Sequence, residues 1–229
     1  MGINDEGSLD GRFELKWDKG SNFASLFLKA PLDYEEKQFY RIEVFAKDQG
    51  RNESEEVKKT STAVFIDVKD EDDQMPVFTK VCSISNIEEM KNIGHEVFEV
   101  KAVDGDFGIN NEIRYSIVEV SSGMDKDYFR IGEKNGSTTI NKQIDREDPN
   151  LNLVDDPMLI ISIEASEWNG SNYVSNRTTK INCNIIIEDI NDNLPKFSNT
   201  QYSATVRENT QANIPVEFTD EPKVTDLDM

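Results

Sequence analysis

The sequence predicts an all-β protein made of tandem antiparallel β-sandwich repeats. Three observations predict this fold: short segments in which apolar and polar residues alternate, turn signals between these segments, and acidic motifs that recur about one sandwich domain apart. No segment shows sustained helical periodicity. We therefore expect one complete sandwich with a partial repeat on each side of it.

The composition excludes several classes of function. The 229 residues include 45 acidic and 25 basic side chains, which gives a formal net charge of −20. Binding to nucleic acid requires Lys and Arg to displace counterions from phosphate, so this surface is expected to attract cations or a basic partner instead. No apolar run is long enough to span a membrane, and the first residues lack the pattern of a signal peptide, so any targeting or membrane segment is expected outside this chain.

The first part of the chain predicts four strands. They are short segments with turn signals between them, at residues 13–16, 24–28, 40–46 and 62–68, and apolar and polar residues alternate in 40–46. Residues 18–20 predict a turn, and the polar run 48–59 predicts a long hairpin loop. We expect these strands to form the C-terminal part of a repeat at residues 1–74.

The central part of the chain repeats this order, with further strands in front of it. The predicted strands are residues 97–102, 113–118, 129–131, 137–144, 159–165 and 181–187. The last two alternate most clearly, as strands with one face on a core do. We expect a complete repeat at residues 75–193. Because Tyr202, Ala204 and Val206 alternate again, we also expect the N-terminal part of another repeat at residues 194–229.

Two dense acidic motifs end the first two predicted repeats. Residues 189–197 read D-I-N-D-N-L-P-K-F, and residues 70–78 read D-E-D-D-Q-M-P-V-F. Pro195 and Phe197 lie 119 positions after Pro76 and Phe78, so the motifs recur in register. One such motif alone would indicate a solvated acidic loop. Its repetition favours a site for a hard cation such as calcium, which takes oxygen ligands.

These motifs resemble those of consecutive extracellular cadherin repeats. The pattern D-x-N-D-N-x-P-x-F is complete at residues 189–197, and the central part also holds the family's motifs at residues 89–97, 102–110 and 144–147. The resemblance implies Greek-key, immunoglobulin-like β-sandwiches with Ca²⁺ bound between successive repeats.

The resemblance also implies a function. It implies a non-enzymatic, calcium-dependent role in cell–cell adhesion, or as a tension-bearing tether, in the extracellular part of a cell-membrane protein. The expected partner is another cadherin-like protein, either homophilic or heterophilic. A receptor segment that binds one specific protein ligand is the alternative.

The resemblance further implies one set of calcium ligands at each junction between repeats. At the first junction the expected ligands are Asp33, Glu35, Asp70, Asp72, Asp73, Gln74, Asp104, Asp106, Asn110 and Glu167. At the second junction they are Glu89, Asp145, Glu147, Asp189, Asn191, Asp192, Asn193, Asp226 and Asp228. Backbone carbonyls are the expected ligand atoms of Gln74, Asn110 and Asn193.

The first junction departs from the family's pattern. Asp72 stands where Asn191 stands in the complete motif, Gln74 replaces an Asn, and Glu167 takes the place of a usual Asp. The first repeat also lacks its opening strands and leading glutamate. We therefore expect fewer ions at the first junction than at the second.

The two cysteines, Cys82 and Cys183, are too few for a disulfide scaffold and have the wrong spacing for a zinc site. In the cadherin fold their two segments run alongside each other, so an intradomain disulfide and a pair of buried thiols both remain open.

The remaining reactive residues do not assemble a catalytic set. His95 is the single histidine and follows Gly94, as a turn residue would. Asp145 and Glu147 could in principle serve a glycosidase, but their repeated placement at junctions favours metal binding. Four Asn-x-Ser/Thr sequons indicate surface positions in a secreted protein; they begin at Asn52, Asn135, Asn169 and Asn176.

Overall fold

The computed structural model of the chain describes residues 2–4, 11–18, 21–48, 58–151, 153–154 and 156–228. These residues form two compact units. The first unit contains Met1–Met75 together with Asp104–Glu112, and the second contains Pro76–Val103 and Ile113–Met229. Among the described residues no helix is long and apolar enough to cross a bilayer.

The first unit contains two small antiparallel sheets. Its strands are β1 (Gly2–Asn4), β2 (Phe13–Trp17), β3 (Ala24–Leu28), β4 (Phe39–Lys47) and β5 (Lys59–Asp67). One sheet has the order β1-β4-β5, and the other is the β2-β3 hairpin. Tyr40 and Ile42 of β4 are its fully buried apolar side chains among the described residues, and the ring of Phe13 meets that of Tyr40 edge to face at 5.2 Å. β4 and β5 pair across the predicted hairpin loop, whose residues 49–57 lie outside the described part, as do residues 19 and 20 of the predicted turn.

The second unit contains the remaining strands. They are β6 (Val77–Lys80), β7 (Ser85–Glu88), β8 (Glu96–Glu99), β9 (Lys101–Val103), β10 (Glu112–Val120), β11 (Phe129–Ile131), β12 (Ser137–Ile140), β13 (Met158–Trp168), β14 (Tyr173–Glu188), β15 (Lys196–Phe197), β16 (Ala204–Thr205), β17 (Glu217–Phe218) and β18 (Val224–Thr225). A single 3₁₀ turn, Lys126–Tyr128, precedes β11.

Two sheets of the second unit enclose one apolar core. Their strand orders are β10-β13-β14-β7 and β11-β12-β8. β13 and β14 form a long antiparallel hairpin, and β7 joins β14 in parallel. Buried side chains of both sheets pack together, among them Phe98, Ile140, Leu159, Ile161 and Ile185. At about 1.5–3 kcal/mol for each such side chain, this core is the main stabilising contribution to the sandwich.

The predicted all-β sandwich fold is confirmed, but two predicted strands were wrong in detail. The predicted strand at residues 137–144 ends at Ile140. Residues 97–102 form two strands, because β8 pairs with β12 whereas β9 pairs with β6. The chain changes sheets at the buried Val100, which lies against the turn at Gly136. A Cβ on Gly136, which has a φ of +67°, would lie 2.1 Å from the Val100 carbonyl oxygen. Only glycine fits this position.

A disulfide joins Cys82 to Cys183, with 5.6 Å between their Cα atoms. This finding decides between the two alternatives that the sequence left open. Cys183 is fully buried on β14, and Cys82 lies just before β7. The bond therefore fixes the start of the parallel pairing between β7 and β14, in which Ser85 lies opposite Ile185.

We expect replacement of both cysteines by alanine to lower the free energy of unfolding by about 2–4 kcal/mol, because the bond closes a long loop in the unfolded chain. The cysteines are 101 positions apart. Denaturant unfolding of Cys82→Ala/Cys183→Ala beside the unaltered chain measures the difference. A reductant should lower the midpoint of the unaltered chain and leave the double variant unchanged; equal midpoints in all four samples would contradict the prediction.

Candidate functional site

The described residues contain two acidic clusters. The larger one lies in the second unit, and we call it the Glu147 cluster. It consists of two groups whose carboxylate oxygens lie within 4.8 Å of one another. One group is Glu89, Asp145 and Glu147, and the other is Glu147, Asp189 and Asp228. Glu147 therefore belongs to both groups.

Glu89 is held in the Glu147 cluster by the sheet and by two main-chain amides. It follows β7, and its backbone nitrogen donates to the carbonyl of Glu188 at 2.9 Å. Its carboxylate accepts hydrogen bonds from the backbone nitrogens of Arg146, at 2.6 Å, and Ile190, at 3.0 Å. Glu89 is only 2% exposed, so these main-chain amides take the place of water as its hydrogen-bond partners. It thereby ties together β7, the end of β14 and the loop that carries Asp145.

Hydrogen bonds also fix Asp228 and Asp145 in the Glu147 cluster. Asp228 accepts from both the backbone nitrogen and the side-chain Nδ2 of Asn193, each at 2.7 Å. The backbone nitrogen of Asp228 donates to Asp226 at 3.3 Å. Asp145 accepts from the backbone nitrogen of Glu147 at 3.1 Å.

The carboxylates of the Glu147 cluster are poorly compensated. Glu147 Oε2 and Asp189 Oδ1 are buried and have no hydrogen-bond partner among the described residues. Burial, followed by the charges of Glu89, Asp189 and Asp145, raises the pKa of Glu147 to about 7. Among the residues that the structure describes, one cation approaches: Arg146 Nη1 lies 3.4 Å from Asp189 Oδ2.

The smaller cluster lies in the first unit, and we call it the Asp106 cluster. It consists of Glu35, Asp70 and Asp106, whose oxygens again lie within 4.8 Å of one another. Asp106 is 4% exposed, and burial, together with the charges of Asp104 and Asp70, raises its pKa. Asp70 Oδ1 is buried without a hydrogen-bond partner in the described part of the chain.

Main-chain amides hold the Asp106 cluster, as they hold the other. Asp106 accepts from the backbone nitrogens of Asp73 and Gln74, at 3.3 and 3.2 Å. Asp70 Oδ2 accepts from the backbone nitrogens of Gly108, at 2.9 Å, and Ile109. A Cβ on Gly108 would lie 2.7 Å from Asp70 Oδ2, so the loop approaches the carboxylate this closely only with glycine there.

The structure brings eight of the nineteen predicted ligands into the two clusters. These are Glu35, Asp70, Asp106, Glu89, Asp145, Glu147, Asp189 and Asp228. Eight more are attached to the clusters by hydrogen bonds, directly or through neighbouring residues. They are Asp33, Asp72, Asp73, Gln74, Asp104, Asp192, Asn193 and Asp226. Asn110 and Asn191 are exposed and make no hydrogen bond to either cluster within the described part of the chain, and Glu167 is fully buried at the end of β13.

Two residues of these sites were missed by the sequence reasoning. Arg146 supplies the cation of the Glu147 cluster, and its guanidinium also donates to the carbonyls of Leu153 and Val154. Asn111 donates from its backbone to Asp104 and from its side chain to Asp72. Both lie beside predicted ligands in the sequence, and this position is the one sequence feature that could have identified them.

The grouped ligand atoms of both clusters are carboxylate oxygens, with no imidazole or thiolate among them. Such a ligand set suits a hard cation, and calcium above all, because calcium accepts many oxygen ligands in a tolerant geometry. Zinc sites of proteins are instead built mainly from Cys and His.

Comparisons with known proteins identify the family. The profile of the cadherin domain family matches residues 84–188. The chain is 31% identical over 207 residues to the Caenorhabditis elegans protein Cadherin-related hmr-1, a match that covers 84% of this chain and 7% of that protein. It is 32% identical over 180 residues to human Cadherin-23, covering 79% of this chain and 5% of that protein. The chain thus spans less than a tenth of the length of these two relatives.

Solved structures show the same fold. A crystal form of protocadherin gamma B7 extracellular cadherin domains 1–4 superposes with a TM-score of 0.73 and 25% identity, covering 100% of this chain and 51% of that one. Mouse Cadherin-23 EC22-24 superposes with a TM-score of 0.66 and 25% identity, covering 89% and 58% of the two chains. The chain belongs to the cadherin superfamily.

Proposed function

We propose that this chain is part of an extracellular adhesion protein in which calcium, bound at the Glu147 and Asp106 clusters, joins successive repeats and stiffens them. The observation that carries the proposal is the set of buried carboxylate oxygens without partners at Asp70, Glu147 and Asp189. Each of these three residues also offers one carboxylate oxygen to a group whose ligand oxygens lie within 4.8 Å of one another.

The electrostatics of the clusters support bound cations. Two unit charges 4 Å apart interact by about 4 kcal/mol at an effective dielectric constant of about 20. Like charges at this spacing oppose folding, and protonation or a cation must offset the repulsion. A divalent cation among the carboxylates converts the repulsion into attraction. Arg146 offers one positive charge, which is fewer than the five carboxylates of the Glu147 cluster require.

The ligand groups suggest how ions are shared. Glu147 belongs to both groups of its cluster, so we assign it as the carboxylate that bridges neighbouring ions. Glu89 and Asp145 would bind one of these ions together with Glu147, and Asp189 and Asp228 would bind the other. In the Asp106 cluster, Glu35, Asp70 and Asp106 would hold the ion.

With the proposed repeat boundaries, each cluster has ligands from two successive repeats. With repeats at residues 1–74, 75–193 and 194–229, Glu35 and Asp70 precede the first boundary and Asp106 follows it. Glu89 and Glu147 precede the second boundary, and Asp228 follows it. An ion held from both sides of a boundary restricts the angle between repeats, which is what a rod under tension needs.

The relatives support adhesion as the biological role. The matched proteins are named as cadherins and protocadherins, and the matched structures are their extracellular domains. We infer that this chain acts outside the cell in a membrane-attached protein, with another cadherin-like protein as its partner. No catalytic role is assigned, because main-chain amides hold the carboxylates of both clusters and the same arrangement occurs twice.

We expect calcium to raise the melting temperature of the chain and Glu147→Gln to remove most of that rise, because the substitution weakens both ligand groups at once. At a free calcium concentration about 100-fold above Kd, one site adds about 2.7 kcal/mol of stability. Thermal melts in calcium and in chelator, with limited proteolysis near residue 193, measure both effects.

Glu164→Gln is the matched control for this experiment. Glu164 is a glutamate of the same unit but is paired with Lys180, at 3.3 Å, rather than grouped with other carboxylates. Its variant should keep the full response to calcium. If chelator leaves the melting temperature and the proteolysis of the unaltered chain unchanged, calcium is not what stiffens this protein.

We expect the response to calcium to grow as pH rises from about 6 to about 8, because the pKa of Glu147 is near 7 and protons compete with the cation. Without calcium, the contribution of Glu147 to the stability of the folded state falls as pH rises. The raised pKa stabilises the folded state below the ordinary value of 4.5, and this contribution is lost as pH rises through about 7.

A pH series of melts with and without calcium tests both signs. The difference between the unaltered chain and Glu147→Gln isolates this one group from the other carboxylates. Parallel pH curves for the two proteins would show that Glu147 does not titrate in this range.

A further inference from the structure

Three of the four sequons lie on two neighbouring hairpins of the second unit. Asn135 lies in the turn between β11 and β12, Asn169 lies in the turn between β13 and β14, and Asn176 lies early in β14. All three asparagines are exposed. The fourth, Asn52, lies outside the described residues.

Asn169 has the most open surroundings. Its Oδ1 accepts hydrogen bonds from the backbone nitrogens of Ser171, at 3.1 Å, and Asn172, at 2.9 Å. No hydrogen bond within the described part of the chain uses its Nδ2. Gly170 follows with a φ of +92°, and a Cβ there would meet nothing within 4 Å. The turn is thus fixed through the oxygen, and the amide nitrogen is left for other chemistry.

Asn176 lies in a bulge of β14. Trp168 pairs with Tyr173 and Ser166 pairs with Thr178, so residues 174–177 lie opposite a single residue of β13. Asn176 has a φ of +61°, a conformation that asparagine tolerates better than most residues. The bulge removes Asn176 from the regular ladder.

Asn135 repeats the hydrogen bond seen at Asn169. Its Oδ1 accepts from the backbone nitrogen of Ser137, the hydroxyl residue of its own sequon, at 3.2 Å. The two hairpins are joined because Tyr173 Oη donates to Glu133 Oε1 at 3.0 Å. Glu133 is two positions from Asn135, and Tyr173 is four from Asn169 and three from Asn176.

We propose that Asn135, Asn169 and Asn176 are N-glycosylation sites whose oligosaccharides together cover the surface around Tyr173. The proposal rests on the proposed function, because the modifying enzyme acts in the secretory pathway. In the reaction, the bond from the sugar C1 to the phosphate oxygen of a lipid diphosphate-linked oligosaccharide breaks. A bond from C1 to Nδ2 forms, the lipid diphosphate leaves, and the proton that Nδ2 loses is taken up by the departing diphosphate.

The structure distinguishes these sequons from chance matches. An N-linked glycan is bulky and polar, so a folded domain can carry one only where the asparagine has room at the surface. A buried asparagine, or one whose Nδ2 were bonded to the protein, would be blocked from carrying it. None of the three has either obstacle among the described residues.

To test the proposal, the full chain is fused to an N-terminal signal peptide and expressed in mammalian cells. Peptide N-glycosidase in heavy-oxygen water then labels each formerly modified asparagine for mass spectrometry. We expect label at Asn135, Asn169 and Asn176. Asn169→Gln and Ser171→Ala should each lose the mass of one glycan and keep the others. Asn209→Gln is the control, since Asn209 is exposed and has a positive φ but begins no sequon.

Unlabelled Asn135, Asn169 and Asn176 would overturn the proposal, whether the chain is secreted or retained, because peptides from retained chain report transfer equally well. Loss of glycan from Asn169→Gln but not from Ser171→Ala would also contradict it. Calcium melts of chain made in bacteria, which carries no such glycan, test the proposed function separately. Unmodified sequons together with an intact calcium response would contradict the glycosylation proposal and leave the proposed function supported.

Discussion

The mutual repulsion of closely spaced carboxylates is the constraint on which the rest of this structure depends. The Glu147 cluster gathers five acidic side chains, and the Asp106 cluster gathers three. In both, backbone N–H groups supply most of the compensation that the chain itself can offer. Such bonds fix the direction of each carboxylate but neutralise little of its charge. The folded chain thus holds preorganised oxygens and leaves most of the charge uncompensated, so that either protonation or a bound cation must balance it.

The sandwich of the second unit supplies the rigidity that this arrangement needs. β7 pairs with β14 in parallel, and that pairing sets Glu89 beside the residues that follow Glu188. The disulfide fixes the start of the same pairing, at Cys183. A slip of one residue would turn Ile185 and Ile187 out of the core, so core packing and ligand position depend on the same register. Stability and the site are therefore coupled through one strand.

The sequence predicted the features that depend on local pattern. Alternation located β13 and β14, and the resemblance to cadherin repeats implied all eight carboxylates that the structure groups together. It could not locate the change of sheet at Val100, because that depends on contact with the distant Gly136. It likewise missed Arg146, since spacing cannot show that a side chain between two acids turns toward a third, Asp189. Contacts across many residues depend on the assembled fold.

The two clusters differ in a way that bears on how many ions each would hold. Glu147 is shared between two ligand groups, whereas the Asp106 cluster is a single group. Neighbouring cations repel each other, so a shared carboxylate is what allows two to lie close together. The Asp106 cluster has no carboxylate common to two groups among the described residues. This difference agrees in direction with the expectation of fewer ions at the first junction, which stays a prediction. The difference between the two clusters depends on whether a carboxylate is shared between ligand groups, and not on the total number of acidic residues, since acids are dense in both motifs.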